Sequence, residues 1–296
     1  PNSTVIASGS YDSTIRLWNA KSGKSIQIIK GHDSVTDLSY SPDGNLIASA
    51  SGRIIELWNA HSGEKIATFK GHESTVNTIT YNHDGTVIAS GSFDYTIRLW
   101  DVQSSKVIKT LKAQGSPIEA LAYSPDGSVI ASGSYDNTIK LWDTGSGEIT
   151  RTLKGHTGPI YTLAYSPDGK TIASGSFDNT IRLWNTRSGE IINTLKGPLN
   201  GVDSLTYSPD GSILASGGSH NPVIQLWSAH SGALLQTLEG HSGPIFALAY
   251  SPDGAVIASG SFDNTIRLWN AQSGKVINTL EGHRNSVNTL AYSPDG

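Results

Sequence analysis

Seven tryptophans recur along this 296-residue chain at an almost constant spacing. They stand at positions 18, 58, 100, 142, 184, 227 and 269, so neighbouring tryptophans are 40 to 43 residues apart. A fixed period of this length indicates that one structural unit is repeated along the chain. The length of the chain therefore reflects the number of repeats in one domain, and it does not imply several unrelated domains.

The unit around each tryptophan has the same internal order, which residues 155–195 show in full. It contains Gly-His, an apolar run, Ser-Pro-Asp-Gly, the run Ile-Ala-Ser-Gly-Ser, a turn with an aspartate, a run that ends in tryptophan, and a last apolar run. Ser-Pro-Asp-Gly is a turn, with proline at the second position and glycine at the fourth. The apolar runs are short and rich in β-branched residues, so they are predicted strands. Seven units of four strands predict an all-β fold, a single seven-bladed β-propeller.

The two ends of the chain are predicted to build one blade together. The last inner run, Val287 to Tyr292, has no strands after it, and the chain begins with a second strand at Val5 to Ser8. If these two strands pair, the closing blade is shared between the termini and the ring has no free edge. Residues 1–3 align in register with residues 294–296, and the chain has no methionine. We therefore expect residues 1–296 to be one propeller domain taken from a longer chain.

Composition limits the classes of function. The absence of cysteine excludes disulfides, thiol catalysis and cysteine-ligated metal sites. The net charge is −4 and the 21 basic residues are scattered, so we expect no nucleic-acid partner. No apolar run approaches the ~20 residues of a membrane span and no signal peptide is visible, so we expect a cytoplasmic protein with no membrane partner. Basic residues recur in the third strand, where we expect solvated stems packed along the outer blade and no binding stripe. These are Arg16, Arg98, Lys140, Arg182 and Arg267.

The repeated motifs resemble those of the WD-repeat family, and the resemblance covers the whole chain. The Gly-His pairs of that family are present as Gly31-His32, Gly71-His72, Gly155-His156, Gly240-His241 and Gly282-His283. The terminal Trp-Asp is intact only at Trp100-Asp101 and Trp142-Asp143. Near-identical units, such as residues 136–142 and 178–184, resemble the repeat-rich bacterial members of the family. An engineered or consensus-like ring is the alternative.

The resemblance implies a buried, hydrogen-bonded tetrad of histidine, serine, aspartate and tryptophan in each blade. The complete sets are His72, Ser90, Asp94 and Trp100; His156, Ser174, Asp178 and Trp184; His241, Ser259, Asp263 and Trp269; and His283, Ser8, Asp12 and Trp18. Three sets are eroded: the set of Trp58 has no turn aspartate, and Gln114 and Pro198 replace the histidine of the other two. We expect the blade of Trp227, which keeps only its serine, to be held least tightly.

Serine, histidine and aspartate together also suggest a hydrolase. The recurrence of the trio in blade after blade, with each serine inside an apolar run, favours a structural role instead. The histidines are at least one blade apart, which disfavours a shared metal site. We therefore expect no catalytic residue, no metal and no cofactor.

Five aromatic residues stand immediately before the aspartate of the turn between the second and third strands. These turn aromatics are Tyr11, Phe93, Tyr135, Phe177 and Phe262. The turns share the top face with the Gly-His connections, and the family resemblance implies that partners dock on this face. Exposed aromatics on rigid turns make good interface anchors. The alternative is that the rings only cover the tetrads beneath them.

A second set of residues follows the first apolar residue of each inner strand, near the mouth of the predicted central channel. This channel ring consists of Thr36, Asn77, Glu119, Tyr161, Asp203, Phe246 and Asn288. Two acids beside two aromatics, with no base among them, suit a cationic side chain. Ordinary variation among solvated polar residues is the alternative.

These features predict a non-enzymatic, monomeric scaffold that presents its top face to a protein or peptide segment, as one module of a larger multidomain protein. A purely structural or engineered ring with no ligand is the main alternative. An enzyme is the third reading, and it requires a cleft with an unpaired nucleophile.

Overall fold

The computed structural model describes residues 5–30, 33–113, 115–196, 201–219 and 221–294. Within these ranges the regular secondary structure consists of 28 β-strands in seven antiparallel sheets of four strands each. The sheets are the blades of a ring, and the predicted all-β, seven-bladed propeller is confirmed.

Each blade runs from an inner strand at the central channel through a second and a third strand to an outer strand. Blade 1 consists of β28 (Val287–Tyr292), β1 (Val5–Ser10), β2 (Thr14–Asn19) and β3 (Ser25–Lys30). Blades 2 and 3 consist of β4 (Val35–Tyr40), β5 (Leu46–Ser51), β6 (Ile54–Asn59) and β7 (Lys65–Lys70), and of β8 (Val76–Tyr81), β9 (Val87–Ser92), β10 (Thr96–Asp101) and β11 (Val107–Lys112). Blades 4 and 5 consist of β12 (Ile118–Tyr123), β13 (Val129–Ser134), β14 (Thr138–Asp143) and β15 (Ile149–Lys154), and of β16 (Ile160–Tyr165), β17 (Thr171–Ser176), β18 (Thr180–Asn185) and β19 (Ile191–Lys196). Blades 6 and 7 consist of β20 (Ser204–Tyr207), β21 (Ile213–Gly218), β22 (Asn221–Ser228) and β23 (Leu234–Glu239), and of β24 (Ile245–Tyr250), β25 (Val256–Ser261), β26 (Ile266–Asn270) and β27 (Val276–Leu280).

The Ser-Pro-Asp-Gly segments form the predicted turns between inner and second strands. In blade 2 the Gly44 N–H donates to the Ser41 carbonyl over 2.9 Å, and the Ser41 hydroxyl donates to Asp43 Oδ1 over 2.6 Å. Gly44 has a φ of 73°, a left-handed conformation that favours glycine. The turn therefore depends on the types of its first, third and fourth residues.

The apolar core lies between the blades. Seven clusters of buried residues each join two neighbouring blades, and the tryptophan of one blade always packs on the blade before it. At the junction of blades 1 and 2, for example, Ile15 and Leu17 pack with Val35 and Trp58. Because removal of apolar surface from water is the main stabilising term in folding, the closed ring stabilises every blade through two neighbours.

The glycine of Ile-Ala-Ser-Gly-Ser lets neighbouring blades approach closely. A Cβ atom added to Gly175 in blade 5 would lie 2.5 Å from Val202 Cγ1, just before the inner strand of blade 6, and 2.6 Å from Thr162 Cγ2. A larger residue at this position would push the two blades apart.

The predicted closure of the ring is also confirmed. Strand β28 pairs with β1 in antiparallel register, with Ile6 opposite Tyr292 and Ser8 opposite Leu290. Leu290 then packs in the core between blades 7 and 1. The C-terminal segment thus supplies both the inner strand of blade 1 and part of its apolar interface.

Deletion of residues 284–296 tests this closure. It removes β28, leaves the edge of β1 unpaired, and opens the apolar core between blades 7 and 1 to water. We expect the truncated chain to associate or to fail to fold, which size-exclusion chromatography and thermal unfolding would detect. A monomer that melts at the temperature of the full chain would contradict the closure.

Candidate functional site

The structure brings together the members of each complete tetrad. In blade 5, Trp184 Nε1 donates to Ser174 Oγ over 2.7 Å, and Ser174 Oγ lies 2.7 Å from His156 Nε2. On the other side of the ring, His156 Nδ1 lies 2.8 Å from Asp178 Oδ2. The sets of Trp18, Trp100 and Trp269 repeat these contacts at 2.7 to 2.9 Å.

The protons of the tetrad can be assigned from these contacts. Because the ionised Asp178 carboxylate can only accept, His156 Nδ1 carries the proton and donates to it, which leaves Nε2 to accept from the Ser174 hydroxyl. Burial lowers the pKa of His156 more than its bond to Asp178 raises it, so the imidazole is neutral. Burial raises the pKa of Asp178, but hydrogen bonds, the largest from Thr180, outweigh it and hold the carboxyl below its usual range. The tetrad is therefore a neutral histidine that orders an ionised turn aspartate.

The serines of the tetrads have no access to a substrate. Ser8, Ser90, Ser174 and Ser259 are 0% exposed, and each hydroxyl is held between an indole and an imidazole. A serine nucleophile must reach a carbonyl carbon of its substrate. The geometry therefore supports a structural tie between the Gly-His connection, the second strand and the third strand.

The eroded blades keep the bond between tryptophan and serine. Trp58, Trp142 and Trp227 donate to Ser49, Ser132 and Ser216 over 2.9, 2.8 and 2.9 Å. In blade 4 the turn aspartate, Asp136, binds Lys140 Nζ at 2.6 Å. His32, Gln114 and Pro198, which entered the predictions for these blades, lie outside the described residues.

The residue type at one position of the third strand differs between blades with a complete tetrad and blades with an eroded one. This position holds arginine in the four complete blades, as Arg16, Arg98, Arg182 and Arg267, and Glu56, Lys140 or Gln225 in the eroded ones. The Arg98 guanidinium lies over Trp100 with Cζ 6.0 Å from the ring centroid, and Lys140 is only 8% exposed. The expected packing is seen for Arg16 and Arg98, whose guanidinium groups lie over the indole, whereas Lys140 is not solvated because it pairs with the turn aspartate.

The turn aromatics lie exposed on the top face. The exposed fractions are 49% for Tyr11, 39% for Phe93, 43% for Tyr135, 55% for Phe177 and 58% for Phe262.

Three of these rings join a fourth to form a continuous surface across blades 3, 4 and 5. Ring centroids lie 6.3 Å apart for Phe93 and Tyr135, 6.1 Å for Tyr135 and Tyr161, and 6.2 Å for Tyr161 and Phe177. We call these four residues the aromatic arc. In the part of the chain that the structure describes, the ring contacts of the turn aromatics are with one another or with the channel ring, and not with tetrad rings. This arrangement favours a docking surface over a simple cover for the tetrads.

The structure places all seven members of the channel ring around one cavity of about 230 Å³ at the central channel. Six of them occupy a β-bulge, where the pairing of the inner and second strands skips one residue: Thr36, Asn77, Glu119, Tyr161, Phe246 and Asn288. Asp203 directly precedes β20. A bulge re-aims a side chain that regular pairing would direct elsewhere. Bulges thus explain how six of the seven blades direct one residue into the channel.

Sequence reasoning missed Asp37, a half-buried acid in the wall of the same cavity. Asp37 accepts hydrogen bonds from the N–H groups of Leu38 and Ile79, both over 2.8 Å, and from Thr289 Oγ1 over 2.9 Å. It therefore connects the inner strands of blades 1, 2 and 3. Burial raises the pKa of Asp37 to about 6 against these hydrogen bonds. The available signal was an acid where the other inner strands have threonine, alanine or serine.

Sequence reasoning also missed Tyr95, which adds a sixth exposed ring to the turns of the top face. Tyr95 is 46% exposed and has a φ of 68°, at the turn position that Asn137, Asn179 and Asn264 occupy in other blades. A left-handed conformation is unfavourable for a bulky residue. The signal was tyrosine in place of asparagine after Phe93-Asp94.

Within the described ranges, no group of three or more histidine, aspartate or glutamate side chains is arranged to hold a metal ion. No helix in the same ranges is long and apolar enough to cross a membrane.

Comparison with known proteins identifies the class. The sequence profile described as "WD domain, G-beta repeat" matches residues 1–19, 23–59, 63–101, 105–143, 147–185, 189–228, 232–270 and 274–296. Since these matches cover most of the chain, the protein belongs to the WD-repeat family. It is a propeller scaffold of that family.

Curated relatives match over single segments. A coronin-like protein of Saccharomyces cerevisiae is 45% identical over 47 residues, which is 16% of this chain and 7% of that protein. Eukaryotic translation initiation factor 3 subunit I of Emericella nidulans is 33% identical over 51 residues, 17% of this chain and 15% of that protein. The same subunit of Coccidioides immitis is 35% identical over an equal share of each chain. The chain thus spans only a small part of the relatives that it matches.

The raised pKa of Asp37 predicts a specific dependence of stability on pH. Because its pKa is raised from 3.8 to about 6 in the folded chain, its ionisation destabilises the fold as pH rises through this range. Asp37→Asn removes this titration. We expect the free energy of unfolding of the variant, relative to the native chain, to increase by about 3 kcal/mol between about pH 4 and pH 6 and then stay constant. Urea unfolding at a series of pH values measures the difference.

The matched control is Asp43→Asn, in a solvent-facing turn. Hydrogen bonds, the largest from Ser41, lower the pKa of Asp43, so its contribution is lost only as pH falls below the ordinary range of aspartate. The raised pKa of Asp37 would be contradicted if the difference in free energy of unfolding between Asp37→Asn and the native chain stayed constant between about pH 4 and pH 6.

Proposed function

We propose that this propeller is a non-enzymatic scaffold that docks a peptide or protein segment on its top face. The observation that carries the proposal is the aromatic arc, which spans three blades and leaves Phe93, Tyr135 and Phe177 between 39% and 55% exposed. Large exposed patches that are contiguous and apolar mark interaction sites more often than scattered exposed residues do. Aromatic side chains also dominate the energetics of interfaces.

The turns beneath the arc support the proposal because they are rigid. Phe177 directly precedes Asp178, whose two carboxylate oxygens are held by His156 Nδ1 over 2.8 Å and by the Thr180 N–H over 3.0 Å. Phe93 precedes Asp94, which His72 binds in the same way over 2.7 Å. A surface that is already ordered loses less conformational entropy on binding. The tetrads would thus serve docking by fixing the anchors.

Several further features belong to the same proposal. The absence of a catalytic role rests on the buried serines of the tetrads. A cytoplasmic setting, a monomeric ring, a place in a larger multidomain protein, and the exclusion of nucleic acid and membrane partners rest on the sequence arguments above. Kinship with the repeat-rich bacterial members rests only on the near-identity of the repeats, and the relatives named above are fungal.

A triple substitution in the arc tests the proposal against the structural alternative. We expect Phe93, Tyr135 and Phe177 changed together to serine to weaken binding of peptides selected on the native ring by roughly a hundredfold, since anchors at hot spots contribute about 2 kcal/mol or more each. Selection from a displayed peptide library followed by titration calorimetry measures the effect.

The matched control changes three equally exposed apolar residues of the outer strands to serine. Ile26, Ile108 and Ile277 are 56%, 54% and 54% exposed and lie far from the top-face turns in the blade topology. The control should bind as the native ring does. Failure to select any peptide, or equal binding by both triple variants, would favour a purely structural ring.

A further inference from the structure

The channel ring is divided into two halves by its hydrogen bonds. In blades 1, 2 and 3 the ring residue donates to a carbonyl at the start of the next inner strand. These bonds join Asn288 Nδ2 to the Val35 carbonyl over 3.0 Å, Thr36 Oγ1 to the Val76 carbonyl over 2.7 Å, and Asn77 Nδ2 to the Ile118 carbonyl over 3.0 Å. On this side the polar groups of the ring are used to tie neighbouring blades together.

Glu119 in blade 4 breaks this pattern. The ionised carboxylate has no proton to donate, so in that form Glu119 cannot make the bond that Asn77 makes at the equivalent position. Its hydrogen bond in the described structure is one that it accepts, from Asn77 Nδ2 over 3.2 Å. The next ring members, Tyr161, Asp203 and Phe246, also lack an amide that could replace the bond. The Tyr161 ring instead contacts Tyr135 in blade 4, and Ser219 Oγ donates to Asp203 Oδ2 within blade 6, so none of the bonds described for this half ties a ring residue to the next blade.

The carboxyl of Glu119 faces a cavity without cations. The described residues that line it include the acids Asp37, Glu119 and Asp203 and no lysine, arginine or histidine. Asp37 is engaged by three inner strands, as described above. Burial raises the pKa of Glu119 to about 7, as expected for a carboxyl that is partly desolvated without an opposite charge. A cation in the cavity would restore the charge balance that the fold itself does not supply.

The aromatic arc extends to the channel cavity that Glu119 faces. Tyr161 belongs both to the channel ring and to the arc, and the charges of Asp203 and Glu119 both act on its hydroxyl. The faces of aromatic rings attract cations, so Tyr161 and the two acids favour the same kind of group. The cavity of about 230 Å³ is smaller than the ~300–1,000 Å³ of most small-molecule sites, so it suits one side chain.

We propose that the channel mouth beside Glu119 receives a single arginine or lysine side chain of the docked peptide, whose flanking apolar residues lie on the aromatic arc. This inference rests on the proposed docking function and specifies the chemistry of its partner. Glu119 would accept charge-assisted hydrogen bonds from the cation, and Tyr161 would cover it.

Four degenerate nonapeptide pools test the inference. They differ only in the fixed central residue, which is arginine, lysine, citrulline or glutamate, and their binding to the full chain is measured by fluorescence polarisation. We expect the better of the two cationic pools to bind at least about tenfold more tightly than the citrulline and glutamate pools, because hydrogen bonds to charged groups are stronger than neutral ones.

Glu119→Asn is the decisive variant, because it removes the charge and supplies the amide that Asn77 has. It should keep or raise the melting temperature and lose the preference for the cationic pools. The matched control is Glu148→Gln, an exposed acid beside a turn between third and outer strands, away from the channel. Glu148→Gln removes one negative charge, as Glu119→Asn does, and should keep the preference for the cationic pools.

The outcomes separate this inference from the docking function. If the pools bind equally well and the arc variant Phe93, Tyr135 and Phe177→Ser loses them all, docking stands and the cation site is wrong. If Glu119→Asn keeps the preference for cations, the site is also wrong. If spermidine alone competes fully and the arc variant binds normally, the occupant is a small polyamine, which contradicts a peptide. If no pool binds the native chain, both proposals fail.

Discussion

The hydrogen bond from each tryptophan indole to a serine of the second strand is the interaction on which the rest of this structure depends. It is present in all seven blades, at 2.7 to 2.9 Å, including the three that have lost part of the tetrad. The indole also packs on the preceding blade, so its N–H is buried at an interface where an unpaired donor would be destabilising by about 1–3 kcal/mol. One residue thus joins two strands within a blade and two blades within the ring.

The histidine and aspartate extend this bond to the top face. Where they are present, the bond between tryptophan and serine continues through the imidazole to the turn that carries an exposed aromatic residue. On the channel side, a bulge in six of the seven inner strands directs one residue into the channel, and Asp203 does so from just before β20. Packing that closes the ring therefore also fixes the spacing of the aromatic arc and of Glu119. Fold and candidate site depend on the same contacts.

Much of this arrangement could be predicted from the sequence because it is repeated. The strands, the turns, the closing strand β28 and the members of the tetrads all follow from patterns that recur in register. Single departures were harder to interpret. Asp37 and Tyr95 differ from their counterparts in other blades, but their contacts depend on how blades meet across the ring. The contact of Arg98 with Trp100 was not named in advance, although the two residues lie two apart on one strand and therefore share a face. The contact of Tyr135 with Tyr161 joins two blades and has no signature in either repeat.

The central claim is that the tetrads make the blades unequal although the tryptophans are shared. The most direct measurement is hydrogen exchange at the indole N–H groups, followed by NMR on chain labelled with ¹⁵N-tryptophan. Trp18, Trp100, Trp184 and Trp269 should exchange at least about tenfold more slowly than Trp142 and Trp227, since hydrogen-bonded chains strengthen their members and about 1.4 kcal/mol of extra protection corresponds to a factor of ten. Equal rates for all six, or slower exchange at Trp142 and Trp227, would contradict the account.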